Sequence, residues 1–327
     1  MKMRRRHLLI AGALAALAPA LTRAQNKTTA RIGWLGGSPL AASPHLIEGF
    51  KARMRELGWV EGRNIEYRFV SSDGYAERLD ALARQLVEEK VDLIFAGPPT
   101  SAVAAHKATR SIPIVMGNVP DPVALGLVAS LARPGGNVTG VSSQTTALAA
   151  KALELLKEIV PGAKRFGMLY NEKNPTAAAF RKIVEEAAVS LHVALIVSAA
   201  NRPEELGAAV QRLVTGGAQA VAVPADPMML GARRTLNELL AKARLPAAFG
   251  NRDHALDGGL LSYAPNIVEN FRLAAGYVDR ILRGADPATL AVQQSDRIEL
   301  VLNMKTAKTL GLKIPQSVLL RATEVIE

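Results

Sequence analysis

"VDLIFAGPPTSAVAAHKATRSIPIVM", residues 91–116, sets two short apolar runs either side of a stretch of small residues. Residues 91–96 and 112–116 are too short for buried helices, which predicts two strands buried on both faces. Residues 101–108, between them, read as a short helix after the loop 97–101. Fully apolar strands joined by a helix run parallel and need helices on both sides of the sheet.

The same alternation extends outward in both directions. Residues 31–35 read as a strand ending in Gly36-Gly37-Ser38-Pro39. Ile47, Phe50, Met54 and Leu57 follow at helical spacing, and Gly58 stops that helix. A strand at 65–70 and a helix carrying Leu79, Leu82 and Leu86 lead into the opening stretch. Beyond it come a loop at 117–121, a short helix, and the turn Arg133-Pro134-Gly135-Gly136, which launches a strand at 137–141.

There the series starts afresh. A helix with Leu153, Leu156 and Ile159 ends at Pro161-Gly162. Strands are expected at 165–170, 193–197, 220–223 and 247–249, with helices at 176–191, 204–214 and 228–243. The tail differs: a strand at 259–263, a helix at 267–282 and a strand at 297–302. Two α/β lobes follow, with the chain crossing near Ser142-Ser143 and back near Ala264-Pro265. The Arg-Pro-Gly-Gly turn then sits at the approach to a hinge. A length of 327 residues suits two lobes better than one core.

Residues 1–24 hold five cations and no acid, so the remainder carries +6 of the formal +11. That excess is spread without a basic run, and aromatics are only 4%, which argues against nucleic-acid binding. The N-terminal segment joins MKMRRRH to the apolar LLIAGALAALAPAL and a small-residue exit, the layout of a secretory signal cleaved near Ala24. The apolar run is short for a membrane span, which disfavours an uncleaved anchor. Arg5-Arg6 makes a degenerate twin-arginine match and leaves the export route open. Cysteine is absent, so no disulfide and no lipid-anchoring cysteine is expected.

Loops at the C-terminal ends of parallel strands are where open α/β sheets bind ligands. Here those loops place Ser38, Pro39 and Leu40, then Gly97, Pro98 and Thr100, then Asn118 and Asp121. The second series supplies Asn171, Asp226 and Asn251. Helix N-termini beside them present free N–H groups suited to a carboxylate. Asp121 and Asp226 are placed to meet an ammonium or hydroxyls. Taken singly, Ser38, Thr100, Asp121, Asn174 and Asp226 each read as helix N-caps at least as well. Their recurrence in both series is what suggests one cleft.

Enzyme motifs are missing. The first loop is not G-x-G-x-x-G, and neither a Walker sequence nor a G-x-S-x-G elbow occurs. The five histidines, at 7, 45, 106, 192 and 254, form no metal-spaced pair. No cofactor, metal or catalytic residue is expected. Trp34 and Trp59 read as packing residues.

Five stretches carry a resemblance: ELGWVEGRNIEYRF, DPVALGLVASLARPGGNVTGVSS, LPAAFGNRDHALDGGLLSY, AAGYVDRILRGADPATLAV and ELVLNMKTAKTLGLKIPQSVLLRATEVI. In order, and over nearly the whole chain after residue 24, they resemble ABC transporter substrate-binding proteins, a family with tryptophan- and tyrosine-binding members. The chain departs from the pattern at Pro98-Pro99 and at Glu172. The resemblance implies a type I periplasmic binding protein, with two Rossmann-like lobes joined by a multi-strand hinge. The N-terminal lobe is expected at 25–143 plus about 265–295, and the C-terminal lobe at 144–264 plus about 296–327. It implies a periplasmic monomer that hands an amino acid or similar small carboxylate to an ABC permease. The competing readings are an exported α/β enzyme and a soluble sensor for a membrane receptor.

Overall fold

The computed structural model describes residues 29–143 and 145–327, so the expected export signal lies outside the described residues. The first sheet begins with β1 (Ala30–Gly36), β2 (Ile65–Ser71), β3 (Leu93–Ala96), β4 (Ile114–Pro120) and β5 (Val138–Ser143). A late strand, β11 (Gln293–Gln294), joins its edge to give the order β11-β5-β4-β3-β1-β2, parallel throughout.

The second sheet holds β6 (Arg165–Tyr170), β7 (Ala194–Ala199), β8 (Ala220–Val223), β9 (Ala247–Phe249) and β10 (Leu261–Pro265). With β12 (Ile298–Asn303) and β13 (Glu324–Ile326) its order is β13-β12-β10-β9-β8-β6-β7, and only β10 with β12 runs antiparallel. The fold is α/β, as the strand–helix alternation requires.

The opening stretch shows why the strands bury. Leu93 and Phe95 of β3 face a cluster with Trp34 and Phe50, while Ile94 and Ala96 face another with Leu86 and Ile114. All four are fully buried, and this period of two puts an apolar layer on each face. Each buried Leu, Ile or Phe contributes roughly 1.5–3 kcal/mol. Helices α1 (Pro44–Glu56) and α10 (Ile267–Leu282) cover the first face, and α2 (Leu79–Glu88) and α3 (Pro99–Ala108) the other. Glycine is required at 140, where φ is +129° and a Cβ would stand 2.3 Å from the Met116 carbonyl oxygen.

Three passages between the sheets run side by side. The chain leaves β5 after Ser143, returns after Pro265 at the end of β10, and leaves again after Ser295. Ser295 N–H donates to the Ser142 carbonyl at 2.9 Å, and Asn266 N–H to the Arg297 carbonyl at 2.9 Å. The turn at 133–136 is tied to the returning segment: Gly135, with φ of +75°, donates its N–H to the Ala288 carbonyl at 3.0 Å.

Several sequence expectations are corrected. Residues 117–120 are strand, not loop, because β4 continues through an irregularity in register between Met116 and Val119. The short helix expected after Asp121 does not form. Asp121 itself takes a left-handed φ of +44° and Gly126 one of +68°, so the segment folds as successive turns. The helix expected at 228–243 is two helices, α7 (Pro227–Gly231) and α8 (Arg233–Lys242), broken at Ala232 with φ −98° and ψ 15°.

Candidate functional site

The C-terminal ends of the two sheets face each other across a cleft of about 760 Å³, mouth included. Ser38, Pro39 and Leu40 leave β1, Gly97, Pro98 and Pro99 leave β3, and Asn118 sits in the irregular part of β4. From the second sheet come Asp226 after β8 and Asn251 after β9. Trp34, Leu46, Ile47, Leu230, Ile267 and Phe271 make the rest of the lining largely apolar.

The floor is aromatic. The Trp34 ring lies 4.4 Å from that of Phe95 and 5.8 Å from that of Phe271. Phe271 reaches the strand ends because Gly97 and Gly117 have no side chain. A Cβ at either would stand 2.7 or 2.8 Å from its ring atoms. Asn118 is held in place at the lip: its Oδ1 accepts from Asn270 Nδ2 at 3.1 Å, and its N–H donates to the Gly97 carbonyl at 2.8 Å.

Asp226 is the one acidic residue of the lining among the described residues, and its oxygens are engaged. Oδ1 accepts from the N–H groups of Met228 at 2.9 Å and Met229 at 3.1 Å, capping α7. Oδ2 accepts from Asn174 Nδ2 at 2.8 Å and Asn171 Nδ2 at 3.2 Å. Burial pushes this carboxyl up from its usual range, against the pull of those four donors. Asn251 caps α9 (Arg252–Leu256), its Oδ1 accepting from Asp253 N–H at 3.0 Å.

Of the residues expected from sequence, Ser38, Pro39, Leu40, Gly97, Pro98, Asn118, Asp226 and Asn251 meet in this cleft. Three do not line it. Asn171 is buried beneath Asp226, and Asp121 is exposed, accepting from Ala124 N–H at 3.0 Å within its own turn. Thr100 stands behind Gly37, and its buried hydroxyl has no hydrogen-bond partner among the described residues. Ser38 caps no helix, and Thr100 lies one residue inside α3, whose cap position is Pro98. Trp34 read as a packing residue close to the first loop, and nothing local to Ile267 or Phe271 hinted at the cleft, since both return from the far end of the chain.

Polar contacts close the cleft on two sides. Ser43 Oγ donates to Asp253 Oδ2 at 3.0 Å, and His45 Nε2 lies 3.2 Å from Asp253 Oδ1. Burial raises the Asp253 carboxyl, but His45 and Ser43 together hold it below its usual range. At the opposite rim Arg202 pairs with Glu77 at 2.7 Å and Tyr75 donates to Glu204. These rim pairs are exposed and add little stability of their own.

Residues 42–326 match the family described as ABC transporter substrate binding protein, and the chain belongs to that family. A curated relative, the tyrosine-binding protein of Clostridioides difficile (strain R20291), is 28% identical over 283 residues, covering 85% of this chain and 81% of that one. Among solved structures, an ABC domain from Streptococcus pneumonia in complex with L-Trp superposes with a TM-score of 0.83 at 26% identity, covering 91% and 100% of the two chains. The ligand-free, open structure of a substrate binding protein with adhesive properties from Clostridium difficile reaches only 0.62 at the same 26%, covering 91% and 99%.

Proposed function

We propose that this protein captures an amino acid with a bulky apolar side chain, or a similar small carboxylate, and delivers it to an ABC importer. Of the described residues, 29–143 with about 265–295 form one lobe, and 145–264 with about 296–327 the other. The single observation that carries the reading is the cleft itself, with an aromatic floor from one sheet and a polar fringe from both.

The side chain of the ligand lies against Trp34, Ile47 and Phe271, where apolar burial favours it. The carboxylate meets the backbone N–H groups around Ser38 and Gly97, which both line the cleft. Asn118, Asn251 and Ser38 serve the remaining polar atoms. The Asp226 carboxylate is occupied by four donors, so an ammonium is shared with Asn118 and Asn251 rather than held by that acid alone. The protein works outside the inner membrane as a monomer, beside a permease, and performs no chemistry on its ligand.

Mass spectrometry of small molecules released from purified, denatured protein is expected to show such an amino acid. Calorimetric titration of stripped protein with L-tyrosine and L-tryptophan is expected to show saturable binding to at least one. Absence of both release and binding of any apolar amino acid would overturn the reading. Conversion of a captured molecule would favour the exported enzyme.

A further inference from the structure

Where the lobes touch beside the cleft, each offers a glycine to a proline of the other. A Cβ built on Gly37 would stand 2.8 Å from Pro227 Cβ. A Cβ built on Gly231 would stand 2.7 Å from Pro39 Cδ, and its next neighbours, Pro39 Cγ at 3.6 Å and Ser38 Cβ at 3.7 Å, also belong to the first sheet's side. We propose that these two reciprocal glycine–proline seats set how far the lobes close, making Gly37 and Gly231 positioning residues for ligand capture. The inference rests on the capture reading above and adds the groups that fix the closed distance.

The geometry separates the seats from ordinary core packing. Gly231 ends α7 without a left-handed φ, so alanine is compatible with its backbone. The atoms nearest to its added methyl come from across the cleft, so an open lobe accommodates that methyl without conflict. Alanine is the better helix former, so the lobe by itself gains slightly if anything. Only closure brings the methyl against Pro39. A proline ring is anchored to its own backbone nitrogen and cannot swing aside as a long side chain does. Pro39 and Pro227 both line the cleft, so a lobe held off by one seat also leaves the ligand exposed to water.

The chain has no cysteine, which makes closure directly measurable. Cysteines replacing Tyr75 and Glu204, which meet across the rim, report closed encounters through their rate of crosslinking by a short bismaleimide. Gly231→Ala is expected to slow that rate roughly tenfold or more, with or without L-tyrosine or L-tryptophan, as overpacking of a rigid contact does. In a Pro39→Ala background the same substitution should change the rate by less than about twofold, because the obstructing Cδ and Cγ are gone. The thermal midpoint of unliganded Gly231→Ala should match or exceed that of the parent.

Equal crosslinking rates for parent and Gly231→Ala overturn the proposal. So does a slowing that persists undiminished in the Pro39→Ala background, which is also what a misfolded lobe would give. A parent that crosslinks readily but binds neither amino acid counts against the capture reading alone, and leaves the seats to be judged by the crosslinking rates.

Discussion

Asp226→Ala is expected to destabilise the protein by about 3–4 kcal/mol, because it strands several buried donors at once. Two are the N–H groups of Met228 and Met229 at the start of α7. The other two are the side-chain amides of Asn171 and Asn174, and neither can turn away. Asn171 Oδ1 already accepts from Lys173 N–H at 2.9 Å. Asn174 Oδ1 accepts from Thr176 N–H at 3.0 Å and from its hydroxyl at 2.7 Å. Both NH₂ groups must therefore face position 226.

Asparagine at 226 separates this network from a simple cap. As a cap alone, Asp226→Asn would be nearly neutral, since the two residues cap about equally well. Here the new amide would point a donor at two fixed donors, with an expected loss of about 1–2 kcal/mol. Urea denaturation of the three proteins checks the order, alanine worst and asparagine between. An asparagine variant as stable as the parent would reduce Asp226 to a cap.

A second large effect is expected in acid. His254 is buried, its ring stacked 4.3 Å from that of Phe249. Burial pushes its imidazole down to about 3, with Arg233 acting in the same direction and Asp253 against it. An unfolded chain takes up the proton below the ordinary value of 6.5, while the folded one stays neutral until about 3. The unfolded state thus binds more protons throughout that window, and stability falls as pH falls through it. Each pH unit is worth up to about 1.4 kcal/mol, so about 3 kcal/mol is lost between neutrality and about pH 4. His254→Phe keeps an aromatic ring against Phe249 and removes the proton site. Its denaturation midpoint should decline less between those two pH values than that of the parent, whatever its stability at neutrality. Parallel pH profiles for the two proteins would show that other groups govern the acid limb.

Much of the fold was legible because it rests on local patterns. Short β-branched runs such as those in β3 and β4 can be buried only as strands, and amphipathic stretches such as α2 and α10 must lay one face on them. Where a single residue's backbone mattered, the reading failed. Asp121 in a left-handed conformation turned an expected helix into turns, and Ala232 broke another in two.

The site divides along the same line. The strand–helix alternation placed polar loops near helix starts after the expected strands of both series, among them 117–122 and 171–176. It also marked Asp226 as a cap. Sequence could not pair Asp226 with Asn171 and Asn174, 55 and 52 residues away, nor bring Phe271 back against Gly97. It could not show that Gly37 and Gly231 are glycines for the sake of prolines in the opposite half. Periodicity and capping are decided by neighbours a few residues apart, and a chain carries that information in its order. Saturated carboxylates, ring contacts and the distance between two lobes depend on atoms from remote segments arriving in one place, so only the folded molecule decides them.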